Sequence, residues 1–178
     1  MTETGILLCA LEGLFGWNKS RIECFSMIIM GMISAQSVNL ANIADHVKQV
    51  KKIKYESLYK RIQRFFVEFA LPFDDIARFI FGLFEFEKCD LIIDRTNWWF
   101  GEKPINYLML SVRYKNVSVP LFWFALKKCG NSPASERIAI LKRFVNCFGK
   151  AVIGDFCGDR EFACIALLKY LLAEAIPF

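Results

Sequence analysis

Apolar residues recur every three or four positions through the first half of the chain, which is the period of a helix buried on one side. In this region Ser20 precedes Glu23 by three residues, the spacing of a capping box at a helix start. Residues 1–87 are therefore predicted to form a helical region. Its helices are expected at residues 5–15, from 20, from 39, over 57–69 and after Pro72.

The pattern changes near Lys88, where the helical period gives way to short runs of β-branched and aromatic residues. The junction Lys115-Asn116 predicts a tight hairpin, because Asn116 can adopt a positive φ. Strands are expected at residues 91–93, 106–114, 117–126 and 151–154, and helices at 135–148 and 162–173.

The order of these elements is strand, strand, strand, helix, strand, helix, which predicts an α/β fold. An antiparallel hairpin followed by a crossover helix and a further strand is the arrangement of an RNase H-like mixed sheet, in which the first and fourth strands are neighbours. Residues 88–178 are therefore predicted to form an incomplete RNase H-like domain that follows the helical region.

Two carboxylates follow two of the predicted strands. Asp94 comes directly after the apolar run 91–93, and Asp159 comes shortly after 151–154. If the first and fourth strands are adjacent, the two aspartates meet and offer the oxygen ligands that Mg²⁺ prefers. Asp155 is the competing second ligand, and an N-cap is the alternative role for either Asp155 or Asp159.

The chain carries a net charge of +5, and most of the excess lies between residues 41 and 70, which hold seven basic side chains against three acidic ones. Such a patch favours a polyanion such as DNA, although on charge alone a solvated helix face is the more ordinary explanation. The candidate DNA-binding residues are Lys48, Lys51, Lys52, Lys54, Lys60, Arg61 and Arg64.

The most apolar stretch, residues 24–35, is about twelve residues long, whereas a membrane-spanning helix needs about twenty. The first residues lack the basic and small-residue pattern of a secretory signal. The expectation is a cytoplasmic protein without a membrane partner.

Several segments together resemble the IS-four-type branch of the DDE transposases of insertion sequences. Residues 91–98 (LIIDRTNW) are similar to the strand with the first catalytic aspartate, and 154–162 (GDFCGDREF) to the segment with the second. Upstream, 37–40 (SVNL) and 57–66 (SLYKRIQRFF) are similar to the family's helical region. The resemblance covers about residues 37–178.

The resemblance implies DNA strand cleavage and transfer at the inverted-repeat ends of a mobile element, with Mg²⁺ or Mn²⁺ held by two aspartates and a glutamate. Asp94 and Asp159 match the two aspartates. Glu161 belongs to the D-R-E-F string itself and Glu174 comes too soon to match the glutamate, which implies a C-terminally truncated transposase. A homodimer is one expected state, and a non-catalytic DNA-binding remnant or a regulator of a full-length transposase is the alternative function.

Overall fold

The computed structural model describes residues 3–51, 53–126 and 130–178. The chain divides into two compact units, Met1–Asp75 and Ile76–Phe178. The first unit contains four helices within its described part, and the second contains a sheet with helices. Each unit has its own cluster of buried apolar side chains.

The helices of the first unit are α1 (Glu3–Leu14), α2 (Lys19–Ala35), α3 (Leu40–Lys51) and α4 (Tyr55–Glu68). Helix α2 starts two residues earlier than the sequence predicted. Asn18 is its N-cap and accepts a hydrogen bond from the Arg21 N–H at 2.9 Å. The predicted capping box of Ser20 and Glu23 is therefore wrong, because Asn18 offers a suitable side-chain oxygen two residues earlier. The positions of the other predicted helices are confirmed.

The core of the first unit forms where α2, α3 and α4 pack together. Helix α4 buries Leu58, Ile62 and Phe65, which are spaced to lie on one face. Gly31 of α2 lies where α3 approaches most closely. A Cβ at this position would lie 2.7 Å from Ile43 Cγ2 and 2.9 Å from Val47 Cγ2, so the approach of the two helices requires glycine.

The remaining elements are the helix α5 and the sheet with its helices. They are α5 (Phe73–Gly82), β1 (Cys89–Phe100), β2 (Lys103–Tyr114), β3 (Val117–Ala125), α6 (Ala134–Phe148), β4 (Ile153–Gly158), one turn of 3₁₀-helix (Arg160–Phe162) and α7 (Ile165–Ala173). The predicted order of strands and helices is confirmed, and so is the α/β class.

The four strands form one mixed sheet in the order β3-β2-β1-β4. Strands β1, β2 and β3 form an antiparallel meander, and β4 lies parallel to β1. The predicted adjacency of the first and fourth strands is thus confirmed. In the β2–β3 turn the positive φ, 54°, belongs to Lys115 and not to Asn116, which corrects the predicted turn geometry.

Strand β1 is much longer than the apolar run that predicted it. It continues to Phe100, because the residues after Asp94 stay paired with β2 as far as Phe100 and Lys103. Trp98 and Trp99 lie in this extension, where aromatic residues suit a strand. Asp94 therefore lies inside a strand and not at its end, and the predicted boundary is wrong.

One face of the sheet carries the core of the second unit. Leu91 and Ile93 of β1 are buried on this face together with Leu110 of β2. Helix α6 contributes Ile140 and Phe144 to the same cluster. Since neighbouring residues in a strand point to opposite faces, Asp94 projects from the other face.

The outer strands of the sheet are β3 and β4, and a proline lies at each. Pro120 of β3 is next to an irregularity in the β2–β3 register. Beside β4, the Phe156 N–H donates to the Pro177 carbonyl oxygen at 2.8 Å. The chain reaches this position after a left-handed residue, Ala175, at the end of α7.

No single helix in the described ranges is both long enough and apolar enough to cross a membrane; only α2 together with residues Leu40–Gln49, bent by 96° between them, meets that criterion as a pair.

Candidate metal site at the sheet

The site is built by the parallel pairing of β1 with β4. The last two pairs in the register are Ile92 with Cys157 and Ile93 with Gly158. Asp94 and Asp159 directly follow Ile93 and Gly158 in the sequence. Because neighbouring strands lie about 4.8 Å apart, the backbones bring these two aspartates side by side.

The two aspartates also share a face of the sheet. Asp159 has extended backbone angles, φ −67° and ψ 161°, so the side-chain alternation of β4 continues through it. Both aspartates are exposed. A Cβ on the intervening Gly158 would lie 2.7 Å from Ile93 Cγ2, so glycine permits the two strands to pair closely here.

The hydrogen bonds around the aspartates leave carboxylate oxygens accessible. Asp94 Oδ1 accepts the Arg95 backbone N–H at 2.7 Å. Asp159 occupies the N-cap position of the 3₁₀ turn, but its side chain makes no capping hydrogen bond there; its main-chain oxygen accepts the Phe162 N–H at 2.9 Å. Asp159 thus occupies the N-cap position without capping the turn through its side chain, and its carboxylate is available for a ligand.

Arg95 neutralises Glu161, the acidic residue two positions after Asp159. Its guanidinium donates from Nε to Glu161 Oε1 at 3.2 Å and from Nη2 to Glu161 Oε2 at 2.9 Å, and it also donates to the Gly130 carbonyl oxygen. The Arg95 side chain is only 10% exposed. Such a bidentate pair holds both carboxylate oxygens of Glu161, so this glutamate is engaged with an arginine and is not presented as a third free ligand.

Asp155, the competing ligand, lies inside β4 and not after it. It falls in the irregular stretch of the register between the Cys89–Ile153 and Leu91–Phe156 pairs. This level corresponds to the start of β1, four residues before Asp94. The structure therefore brings Asp159, and not Asp155, to the level of Asp94.

The donor set suits a hard divalent cation but is small. Within the described ranges, no group of three or more His, Cys, Asp or Glu side chains is placed to hold a metal ion. Two carboxylates can still contribute to a Mg²⁺ or Mn²⁺ site, because Mg²⁺ usually keeps several waters and takes further oxygens from substrate phosphates. Asp94 and Asp159 fit that pattern as protein ligands.

The predicted DNA-binding residues separate into two groups. Lys48 of α3 is exposed, as are Lys54, Lys60 and Arg64, and Lys60 and Arg64 lie one turn apart on α4. Arg61 differs, because its Nη2 donates to the Ser20 carbonyl oxygen at 3.0 Å. Lys51 is the last residue of α3, and Lys52 lies outside the described residues.

A cavity of about 420 Å³ in the first unit was not foreseen from the sequence. Arg21 lines it together with Arg61 and Arg64. Arg21 is at least forty residues away from the other two arginines in the chain, and no local pattern links it to them. Only the packing of α2 against α4 brings the three together.

No protein family model, curated protein or solved structure matches this chain.

Proposed function

We propose that this protein is a DNA strand-cleaving and strand-transferring enzyme of the DDE transposase type, with an RNase H-like sheet as its catalytic scaffold. The observation that supports the proposal is the position of Asp94 and Asp159 directly after the last residue pair of β1 and β4. Parallel strands that start 64 residues apart in sequence place two exposed carboxylates at one level and on one face.

Asp94 and Asp159 would hold a divalent cation, and the bound cation supplies Lewis acidity towards a phosphodiester and lowers the pKa of a bound water. The contribution of the chain itself is positioning. The sheet fixes the spacing of the two carboxylates, and the Arg95 N–H orients Asp94 through Oδ1. The Arg95–Glu161 pair ties β1 to the 3₁₀ turn that follows Asp159. The substrate is DNA, and the proposal implies a cytoplasmic protein with access to DNA, in which a homodimer would act on two element ends.

The direct test is a calorimetric titration with Mn²⁺ of the wild type and of Asp94→Ala, Asp159→Ala and Asp155→Ala. Asp155→Ala is the matched control, because it removes the same charge from an exposed aspartate four residues before Asp159. We expect Asp94→Ala and Asp159→Ala each to abolish measurable binding and Asp155→Ala to retain it. Binding that survives in Asp94→Ala, or that is lost only in Asp155→Ala, contradicts the assignment.

A second assay tests the reaction itself. Supercoiled and linear DNA are incubated with the protein and Mn²⁺, and nicking is followed on gels. We expect nicking by the wild type and at least a hundredfold loss in Asp94→Ala, since removal of a metal ligand removes most of the transition-state stabilisation. Nicking by Asp94→Ala at the wild-type rate would show that another site is responsible.

The second candidate function is DNA binding without chemistry, as a remnant or regulator of a complete transposase. It is favoured by the small donor set of the site, because Asp94 and Asp159 are two carboxylates and Glu161, the next acidic residue after Asp159, is engaged with Arg95. Salt-sensitive DNA binding by the wild type, with neither Mn²⁺ binding nor nicking, is the result that selects this function over the first.

A further inference from the structure

Three arginines converge on the cavity of about 420 Å³ in the first unit, which we call the arginine pocket. They are Arg21 of α2 and Arg61 and Arg64 of α4. Arg61 Nη2 donates to the Ser20 carbonyl oxygen at 3.0 Å, and the Arg21 guanidinium lies 4.1 Å from the centre of the Phe69 ring. Both of these arginines are therefore held in place by neutral groups.

The positive charge of the pocket exceeds its negative charge. Glu68 is the one carboxylate among the described residues that line the pocket, against three guanidinium groups. Among the described side chains, none of the three arginines forms an ion pair. Burial raises the pKa of the Cys24 thiol, an effect that Arg61 partly offsets, so this thiol remains neutral at pH 7 and adds no negative charge.

The start of α2 gives the pocket a further positive contribution. The first turn of α2 contains Lys19 and Arg21 and no acidic residue. Cations at a helix N-terminus are unfavourable, because the backbone N–H groups there already carry partial positive charge. An anion in the pocket would relieve this repulsion as well as that among the three guanidinium groups.

We propose that the arginine pocket binds a phosphate group. Guanidinium groups present parallel N–H donors that match the oxygens of a phosphate, and a cavity of this size exceeds the volume of one such group. The phosphate can belong to a DNA backbone or to a small phosphorylated molecule. The inference does not use Asp94 or Asp159, so its test is independent of the metal site.

Arg64 is the position at which to test the pocket. It is exposed and makes no ion pair with the described residues, so its replacement should leave the fold intact. Lys60 is the matched control, because it is also an exposed cation, lies one turn away on α4 and does not line the pocket. Thermal unfolding of both variants checks that they are folded.

The measurement is a calorimetric titration with inorganic phosphate at constant ionic strength, with EDTA present so that no metal contributes. We expect Arg64→Gln to weaken phosphate binding about tenfold, the typical effect of losing one charge-assisted hydrogen-bond donor, and Lys60→Gln to change it less than twofold. Arg21→Gln should weaken binding to a similar extent as Arg64→Gln.

A competition experiment with DNA distinguishes a backbone phosphate from a small phosphorylated molecule. If a short DNA duplex displaces inorganic phosphate from the wild type, and Arg64→Gln weakens duplex binding more than Lys60→Gln, the pocket holds a backbone phosphate. If phosphate binds and the duplex does not compete, the pocket serves a small phosphorylated molecule. Absence of phosphate binding by the wild type, or equal losses in Arg64→Gln and Lys60→Gln, overturns the proposal.

Discussion

Arginines serve opposite purposes in the two units. In the second unit, Arg137 of α6 is 5% exposed and donates to Ser132 Oγ and to the Phe162 carbonyl oxygen, both at 3.0 Å. Arg95 is paired with Glu161, and its side chain is 10% exposed. In the first unit, Arg21 and Arg64 line a cavity without a carboxylate partner among the described residues. The same side chain thus stabilises the fold in one unit and presents charge in the other.

The difference arises from what each helix packs against. Arg137 lies on the side of α6 that faces the sheet, where its guanidinium bridges two loop segments and lies 5.1 Å from the centre of the Phe162 ring. Arg64 lies outside the buried face of α4 and is exposed. Burial of a charge is tolerated only where hydrogen-bond acceptors meet it, so the surroundings of an arginine indicate which purpose it serves.

The largest effect on the free energy of unfolding is expected at Arg137. Arg137→Ala should lower the free energy of unfolding by about 3 kcal/mol, because two charge-assisted hydrogen bonds are lost and the Phe162 carbonyl oxygen loses a donor. Arg64→Ala should change it by less than about 0.5 kcal/mol, as is usual for exposed positions. Urea unfolding measures both, and equal destabilisation by the two variants would contradict the division of roles.

Glycine substitutions test the close approach of α2 to α3 in the first unit and of β1 to β4 in the second. Gly31→Ala and Gly158→Ala should each cost about 2 kcal/mol, because an added Cβ would lie 2.7 Å from Ile43 Cγ2 or from Ile93 Cγ2 respectively. Gly13→Ala is the control, since nothing lies within 4 Å of a Cβ there and alanine favours a helix.

The two glycine variants should also differ in their effect on Mn²⁺ binding. Gly158→Ala should also weaken Mn²⁺ binding, because it separates β1 from β4 beside Asp94 and Asp159, whereas Gly31→Ala should leave Mn²⁺ binding unchanged. Urea unfolding and calorimetry give the two readouts. Unchanged Mn²⁺ affinity in a destabilised Gly158→Ala protein would show that strand spacing does not determine the site.

The smallest effect concerns the Arg95–Glu161 pair. A double-mutant cycle with Arg95→Gln and Glu161→Gln should give a coupling energy of about 1 kcal/mol, because the pair is bidentate but the glutamate is one-third exposed. A coupling near zero would mean that the pair does not hold the 3₁₀ turn against β1. The same urea unfolding experiments provide the four free energies.

The sequence predicted those parts of the molecule that depend on local periodicity and turn chemistry. The helices of residues 1–87 and the hairpin at Lys115 follow from such patterns, and the crossover to β4 follows from the order of elements. The N-cap at Asn18 was missed because Asn18 and Ser20, two residues apart, can both cap, and the local sequence does not decide between them. Asp94 was placed at a strand end because the apolar run stops there, while cross-strand pairing extends β1 beyond it.

Only part of the site could be predicted from the sequence. The adjacency of Asp94 and Asp159 could be predicted, since chain order and handedness restrict how four strands connect. The pairing of Glu161 with Arg95 and the convergence of Arg21 with α4 depend on side chains that meet across distant segments. No pattern of a single element carries that information.

The two prolines at the outer strands bear on how copies of this protein behave at high concentration. A free strand edge offers unpaired N–H and C=O groups on which another chain can assemble. Pro120 has no N–H to offer from β3, and the carbonyl oxygen of Pro177 already occupies the Phe156 N–H of β4. One donor of β4 is thereby engaged, and a proline is typical of an edge strand such as β3, so each outer strand carries a feature that disfavours intermolecular strand addition.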